Sequence, residues 1–239
     1  MIRTIIGLLV ITMTSAGGQS VFESKTARTH LLELFTSEGC SSCPPAEAWL
    51  SNLKKEPQLW HDFVPIAFHV DYWDHLGWRD PFASKMWTAR QYDYSARWKS
   101  GSVYTPGFVL DGHEWRNESV PSPSAEPAGV LSVRLLHGER VVATFQPISG
   151  GGRDYEIHLA RLGFELSTNV KAGENSGRKL RHDFVVLSLT NETMPGGAKD
   201  LRFPAAASGQ TGESRGALAA WVTEVGQMEP IQSVGGWLP

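Results

Sequence analysis

Two residues of this chain can do thiol chemistry: Cys40 and Cys43, the only cysteines among 239 residues. They stand at C-x-x-C spacing in Gly39-Cys40-Ser41-Ser42-Cys43-Pro44-Pro45. The attacking species in disulfide exchange is a thiolate, and a free thiol with a pKa of about 8.5 is mostly protonated at neutral pH. A cysteine at a helix N-terminus faces unpaired N–H groups and the positive end of the helix dipole, and both lower its pKa. The pattern puts Cys40 at such a terminus and Cys43 one turn on. Cys40 is the expected nucleophile. Cys43 is the expected resolving thiol, placed to attack a mixed disulfide and release the product. Ser41 and Ser42 are expected to tune the potential of the pair. The same spacing also suits a structural disulfide, or a thiolate site for copper or zinc completed by His69.

The flanking residues say what must hold this pair. His30 to Phe35 is a short apolar run suited to a buried strand, and Thr36 to Gly39 is a turn. Ala46, Trp49, Leu50 and Leu53 recur on one helical face. Pro44 and Pro45 are tolerated in the first turn, where their missing N–H groups are not needed. Phe63 to Val70 reads as a second buried strand, followed by an aromatic loop over Asp71 to Trp78. Asp80 and Pro81 predict an N-cap and a helix from Pro81 to about Lys99. Val103 to Leu110, then Asp111-Gly112, reads as a strand and a hairpin turn. This order predicts an α/β unit. His69 and Asp71 fall on one side of a strand end, where open α/β sheets line a crevice. The two read as a hydrogen-bonded loop pair, or else as a proton relay for Cys43 or extra metal ligands. Trp73 and Trp78 have two readings, aromatic packing of the loop or the rim of a substrate groove.

Ser119 to Pro127 is a linker by composition. Beyond it Val130–Leu136, Arg140–Phe145, Tyr155–Leu162, Phe184–Leu189 and Leu218–Val225 are strand-like, separated by turns such as Gly150-Gly151-Gly152. This predicts an antiparallel, sandwich-like β-rich domain. Lys171–Gly177 and Pro195–Glu213 read as loops. Glu174, Asn175 and Arg178 read as a polar site or, more simply, as a solvated turn held by Gly173 and Gly177, and His182 as a structural histidine. The expected parts are residues 24–118, a linker over 119–127, and residues 128–239.

Met1-Ile2-Arg3 followed by an apolar run from Ile5 to Met13 and by Thr14-Ser15-Ala16 has the pattern of a signal peptide over 1–16. That run is shorter than the roughly 20 apolar residues a helical span needs. Export to the periplasm or beyond would keep the cysteines in an oxidising compartment. A formal charge of −3 without any Lys/Arg-rich run argues against a nucleic-acid partner. No cofactor is expected and no membrane span in the mature chain.

Leu32 to Ala46, Phe68 to Asp74, Leu76 to Phe82 and Val103-Tyr104-Thr105-Pro106 together resemble a family of secreted, mainly bacterial thioredoxin-like proteins of unknown function. Gly173 to Arg178, Leu180, His182 and Ala220-Trp221-Val222 are similar to its C-terminal half. The resemblance implies a thioredoxin fold with a β-rich extension. It implies a cis Thr105–Pro106 bond beside the disulfide, with Thr105 and Pro106 as a platform for an extended substrate. The chain departs from ordinary thioredoxins at Gly39, where they carry Trp, and at Leu34, where they carry a buried acid. The reading is an exported thiol–disulfide oxidoreductase-like protein acting on exported proteins or small thiols. Its alternatives are a thiolate metal module and a binding protein whose disulfide is a staple.

Overall fold

The chain lays down fourteen strands and two α-helices among the residues that the computed structural model describes, 19–117, 119–148, 154–205 and 216–239. The expected signal peptide and the Gly150-Gly151-Gly152 turn lie outside them. The first half holds β1 (Ser20–Glu23), β2 (His30–Thr36), α1 (Cys43–Asn52), β3 (Phe63–His69), α2 (Lys85–Trp98), β4 (Gly107–Leu110) and β5 (His113–Trp115). The second holds β6 (Val130–Leu135), β7 (Arg140–Gln146), β8 (Tyr155–Gly163), β9 (Leu166–Asn169) and β10 (Lys179–His182). It ends with β11 (Val185–Met194), β12 (Ala198–Arg202), β13 (Ala217–Glu224) and β14 (Gln232–Trp237).

Eight of these strands form one mixed sheet in the order β14-β13-β8-β11-β3-β2-β4-β5. Four more form an antiparallel sheet, β1-β6-β7-β12, and β9 pairs with β10 as a hairpin. The fold is therefore mixed α/β, mostly strands with few helices. β3 is buried at every position, which fits a strand covered on both faces. It runs parallel to β2 on one side and to β11 on the other. The β3–β11 pairing carries the large sheet across both halves of the sequence.

Period-two alternation explains the packing on the antiparallel side. On β13, Leu218, Ala220 and Val222 face the four-stranded sheet, meeting Leu131, Val133, Val141 and Phe145. Ala217, Ala219 and Trp221 face the other way, into the core shared with Phe68, Phe164 and Phe184.

Three expectations change. α2 begins at Lys85, capped by Ser84, whose hydroxyl accepts the Met86 N–H at 3.2 Å. Asp80 does not cap it, because its carboxylate turns inward to other partners, described below. The expected loop over Pro195–Glu213 contains β12, which pairs with β7. Only Leu201 of that strand is buried among its described core residues, so it carries almost no apolar signal. The β9–β10 hairpin was likewise hidden by its polar residues.

His158 of β8 stacks on Trp221, with ring centroids 5.0 Å apart. Its Nδ1–H donates to Asn191 Oδ1 at 2.9 Å, and its Nε2 accepts from Thr223 Oγ1 at 3.0 Å. Burial, then the charge of Arg90, pushes its pKa down to about 3, although the Glu156 carboxylate lies 3.9 Å away. A ring held neutral in the fold contributes stability above its unfolded pKa of about 6.5 and loses it as pH falls toward the folded value. His158→Gln should therefore flatten the acid limb of stability. Urea unfolding at pH of about 7 and about 4 checks this: equal acid losses in both chains would refute it.

Candidate functional site

β2 delivers the chain into the C-x-x-C turn, and three short bonds shape it. Ser37 Oγ accepts the Gly39 N–H at 3.1 Å, Ser37 O accepts the Cys40 N–H at 3.2 Å, and Cys40 O accepts the Cys43 N–H at 3.3 Å. Cys40 and Cys43 form a disulfide across the start of α1. Pro44 and Pro45 lie in the first turn, as their chemistry requires. They also remove two donors, and Cys43 N–H is already used. The supply of unpaired N–H groups expected to face Cys40 is thus smaller than the bare pattern suggests. Ser42 makes no capping bond; its Oγ lies 3.3 Å from Cys40 Sγ instead. A hydroxyl there can donate to a thiolate. Both cysteines are buried, Cys40 at 1% exposure and Cys43 at 0%.

Gly39 explains the missing tryptophan. A Cβ at this position would lie 2.7 Å from Trp73 Cβ, so only glycine admits the Trp73 backbone so close. Trp73 Nε1 donates to Thr105 Oγ1 at 2.8 Å, and the Thr105–Pro106 peptide is cis. Phe35 of β2 pairs with Gly107 of β4, which sets this loop beside the C-x-x-C turn. Between them opens a groove of about 590 Å³, lined by Ser42, Ala46, Trp49, Tyr104, Pro106 and Trp115 among others.

Beneath the turn lies a buried cluster of acids and histidines. Glu38 Oε2 accepts from Trp78 Nε1 at 2.7 Å, and Glu38 Oε1 meets His182 Nε2 at 2.8 Å and the Thr168 hydroxyl. His182 Nδ1 meets Glu47 Oε2, while Glu47 Oε1 accepts from Thr36 Oγ1 at 2.5 Å. Asp80 Oδ2 accepts from His69 Nδ1 at 2.7 Å and from Glu38 N at 2.9 Å. Burial alone would lower the His182 pKa, but the carboxylates at both ring nitrogens raise it to about 10. Burial would raise Glu47 and Asp80; the facing His182 and His69 outweigh it and hold both low.

The loop after β9 ties this cluster to the disulfide. Asn175 Nδ2 donates to Glu38 O and to Cys40 O, each at 2.9 Å, and Arg178 donates to Asn175 Oδ1 at 2.6 Å. Exposed Glu174 accepts the Ser41 N–H at 2.9 Å. What read as a solvated turn is a strap over the C-x-x-C backbone, and Asn175 is fully buried.

The expected residues part company. Cys40 and Cys43 are bonded to each other, and Pro106 shares a groove with Ser42 of their turn. Trp73 packs between Gly39 and Thr105, and Trp78 points to Glu38. The groove takes its aromatics from Trp49, Tyr104, Phe108 and Trp115 instead. His69 pairs with Asp80 rather than Asp71, whose Oδ1 accepts from Thr88 Oγ1 at 2.6 Å. Neither Glu38 nor Glu47 is singled out among the expected residues, while Asp80 reads as a helix cap and Asn175 as part of a turn. One signal was available: Glu47 follows Cys43 by four residues, so it shares the buried face of α1. The acid missing at Leu34 has a buried neighbour, Glu33, but Arg90 and Tyr94 consume it.

A family model matches residues 31–223 of this chain. The chain belongs to the DUF1223 family. Its description is a protein of unknown function, and it is the family that the sequence blocks resemble. A search of the curated proteins finds no match. Among solved structures, this DUF1223 chain is similar to protein AGR_C_4864 from Agrobacterium tumefaciens. The TM-score is 0.62 and the identity 24%, over 90% of this chain and 96% of that one. It is also similar to HBP35 of Porphyromonas gingivalis, at a TM-score of 0.57 and 13% identity, over 90% of this chain and 76% of that one. Both likenesses are of fold.

Two substitutions test the geometry of the DUF1223 turn. Gly39→Ala should destabilise the protein by about 1–3 kcal/mol, the usual cost of forcing atoms into a packed site. An unchanged urea midpoint would mean that Trp73 yields freely. Asn175→Ala leaves two carbonyls without a donor, at about 1–3 kcal/mol. It should also speed reduction of the disulfide by dithiothreitol, followed by thiol trapping. An unchanged rate would show that the strap does not guard Cys40.

Proposed function

We propose that this DUF1223 protein is an exported thiol–disulfide oxidoreductase, with a thioredoxin-like α/β part and a β-rich part joined through β3 and β11. The observation that carries the reading is the Cys40–Cys43 disulfide at the start of α1, next to a groove that Ser42 of the C-x-x-C turn and Pro106 of the cis Thr105–Pro106 loop both line. In the reducing direction the Cys40 thiolate attacks one sulfur of a substrate disulfide and expels the other as a thiolate. Cys43, as thiolate, then attacks Cys40 Sγ, releases the second substrate thiolate and re-forms the resident disulfide. Two electrons pass to the substrate, and each released thiolate takes a proton. Oxidation of a substrate runs the same steps backward. Ser42 Oγ stabilises the Cys40 thiolate, and the groove holds an extended chain of an exported protein or a small thiol against Pro106. Periplasmic or secreted location follows from the signal-peptide pattern.

A second reading, a binding protein with a structural disulfide, draws on the burial of both cysteines. The reduction potential separates the two. The mature protein equilibrated in glutathione or dithiothreitol buffers should give a value within about −120 to −270 mV. A value below about −300 mV marks a structural bond and overturns the proposal. Cys40→Ser should abolish turnover of a model protein disulfide, while Cys43→Ser should trap the mixed disulfide.

A further inference from the structure

The acid–histidine cluster under the turn holds an atom that nothing satisfies. His69 is 1% exposed, and its Nδ1 is held by Asp80. Its Nε2 is buried and has no hydrogen-bond partner among the described residues. A buried polar atom without a partner is costly, and each such atom in a folded protein calls for an explanation. With Nδ1–H donated to the Asp80 carboxylate, Nε2 carries a bare lone pair.

That lone pair has company. One ligand atom each from Glu47, His69 and His182 lie within 4.8 Å of one another, and all three residues are buried. Both histidines are anchored from behind by carboxylates, His69 by Asp80 and His182 Nε2 by Glu38. Metal-bound histidines carry this signature: the second ring nitrogen donates to a carboxylate, which fixes the tautomer and orients the ring. The Phe82 ring packs against both imidazoles, with centroids 5.4 Å from His69 and 5.5 Å from His182, and closes one side with apolar surface. Three carboxylates, Glu38, Glu47 and Asp80, face only two imidazoles.

We infer that Glu47, His69 and His182 form a site for a divalent transition-metal ion of the zinc class, with Asp80 and Glu38 as its supporting carboxylates. Two imidazoles and one carboxylate are a zinc ligand set, with bonds of about 2.0–2.2 Å. The His182–Glu47 pair now lies closer than two ligands of one ion, so the two side chains separate on binding. The three ligands come from α1, β3 and β10, so the ion pins the disulfide-bearing helix to the centre of the large sheet and to the hairpin of the second half. No thiolate takes part. The site stands whether or not the disulfide exchanges.

The test removes the thiols first. The full mature chain carrying Cys40→Ser and Cys43→Ser is stripped with a chelator and titrated with Co²⁺, then Zn²⁺. The expected result is one equivalent of Co²⁺ per chain, with visible absorption, displaced by Zn²⁺. Zinc should raise the Tm, as binding to the native state alone requires. His69→Gln keeps a donor for Asp80 and should weaken zinc binding at least tenfold. Asp80→Asn, acting through His69, should weaken it by roughly 10- to 100-fold. The inference fails if the folded double-serine chain binds far less than one equivalent. It fails equally if His69→Gln binds zinc as tightly as its parent. Retention of zinc by the double-serine chain separates this site from a Cys40–Cys43 thiolate site, which loses it.

Discussion

The side chain of Glu38 must be satisfied without water, and much of the architecture around the disulfide follows from that need. A carboxylate taken out of solvent costs several kcal/mol unless opposite charges and donors replace its hydration. Glu38 is fully buried one residue before Gly39. Its donors come from the aromatic loop through Trp78, from β9 through Thr168 and from β10 through His182. Its backbone engages Asp80 and Asn175 as well. Segments spread over about half the chain are thus tied to the residue that opens the C-x-x-C turn. The β-rich half is part of how the turn is built.

The same constraint explains the shape of the turn. The strap places Asn175 on the carbonyl of Cys40, and Trp73 fills the space where thioredoxins carry a larger residue before the first cysteine. The sulfurs are consequently shielded, and the open surface lies to one side, along Trp49, Tyr104 and Pro106. Control of access, more than the helix dipole, distinguishes this site: prolines have removed first-turn donors, and the Ser42 hydroxyl is the donor left beside Cys40 Sγ. Glu47 sits one helical turn beyond Cys43 on the buried face. Its charge is balanced by His182, from a strand more than a hundred residues away.

Much of the α/β half was legible because its signals are local. The C-x-x-C spacing, the two first-turn prolines, the apolar run of β3 and the Asp111-Gly112 turn each depend on near neighbours in sequence. β6, β7, β8 and β13 were legible as strand-like runs set apart by turn-rich segments. The Asp80 cap misled, because Asp-Pro satisfies a local rule that the tertiary partners His69 and Glu38 override. β9, β10 and β12 were invisible: short polar strands are stabilised by their pairing, which sequence periodicity does not record.

By itself the sequence determined where thiol chemistry can occur, since two cysteines leave no other place, and which strands are buried, since apolar periodicity follows from the pleat. Only the tertiary structure decided what surrounds those thiols. It chose Asp80 over Asp71 as the partner of His69 and turned Trp78 inward. It brought His182 between Glu38 and Glu47 and laid Asn175 across the disulfide turn. These choices depend on long-range contacts between single polar side chains. Such a side chain carries no period and no spacing rule, and its partner is fixed only when the sheet places both out of reach of water.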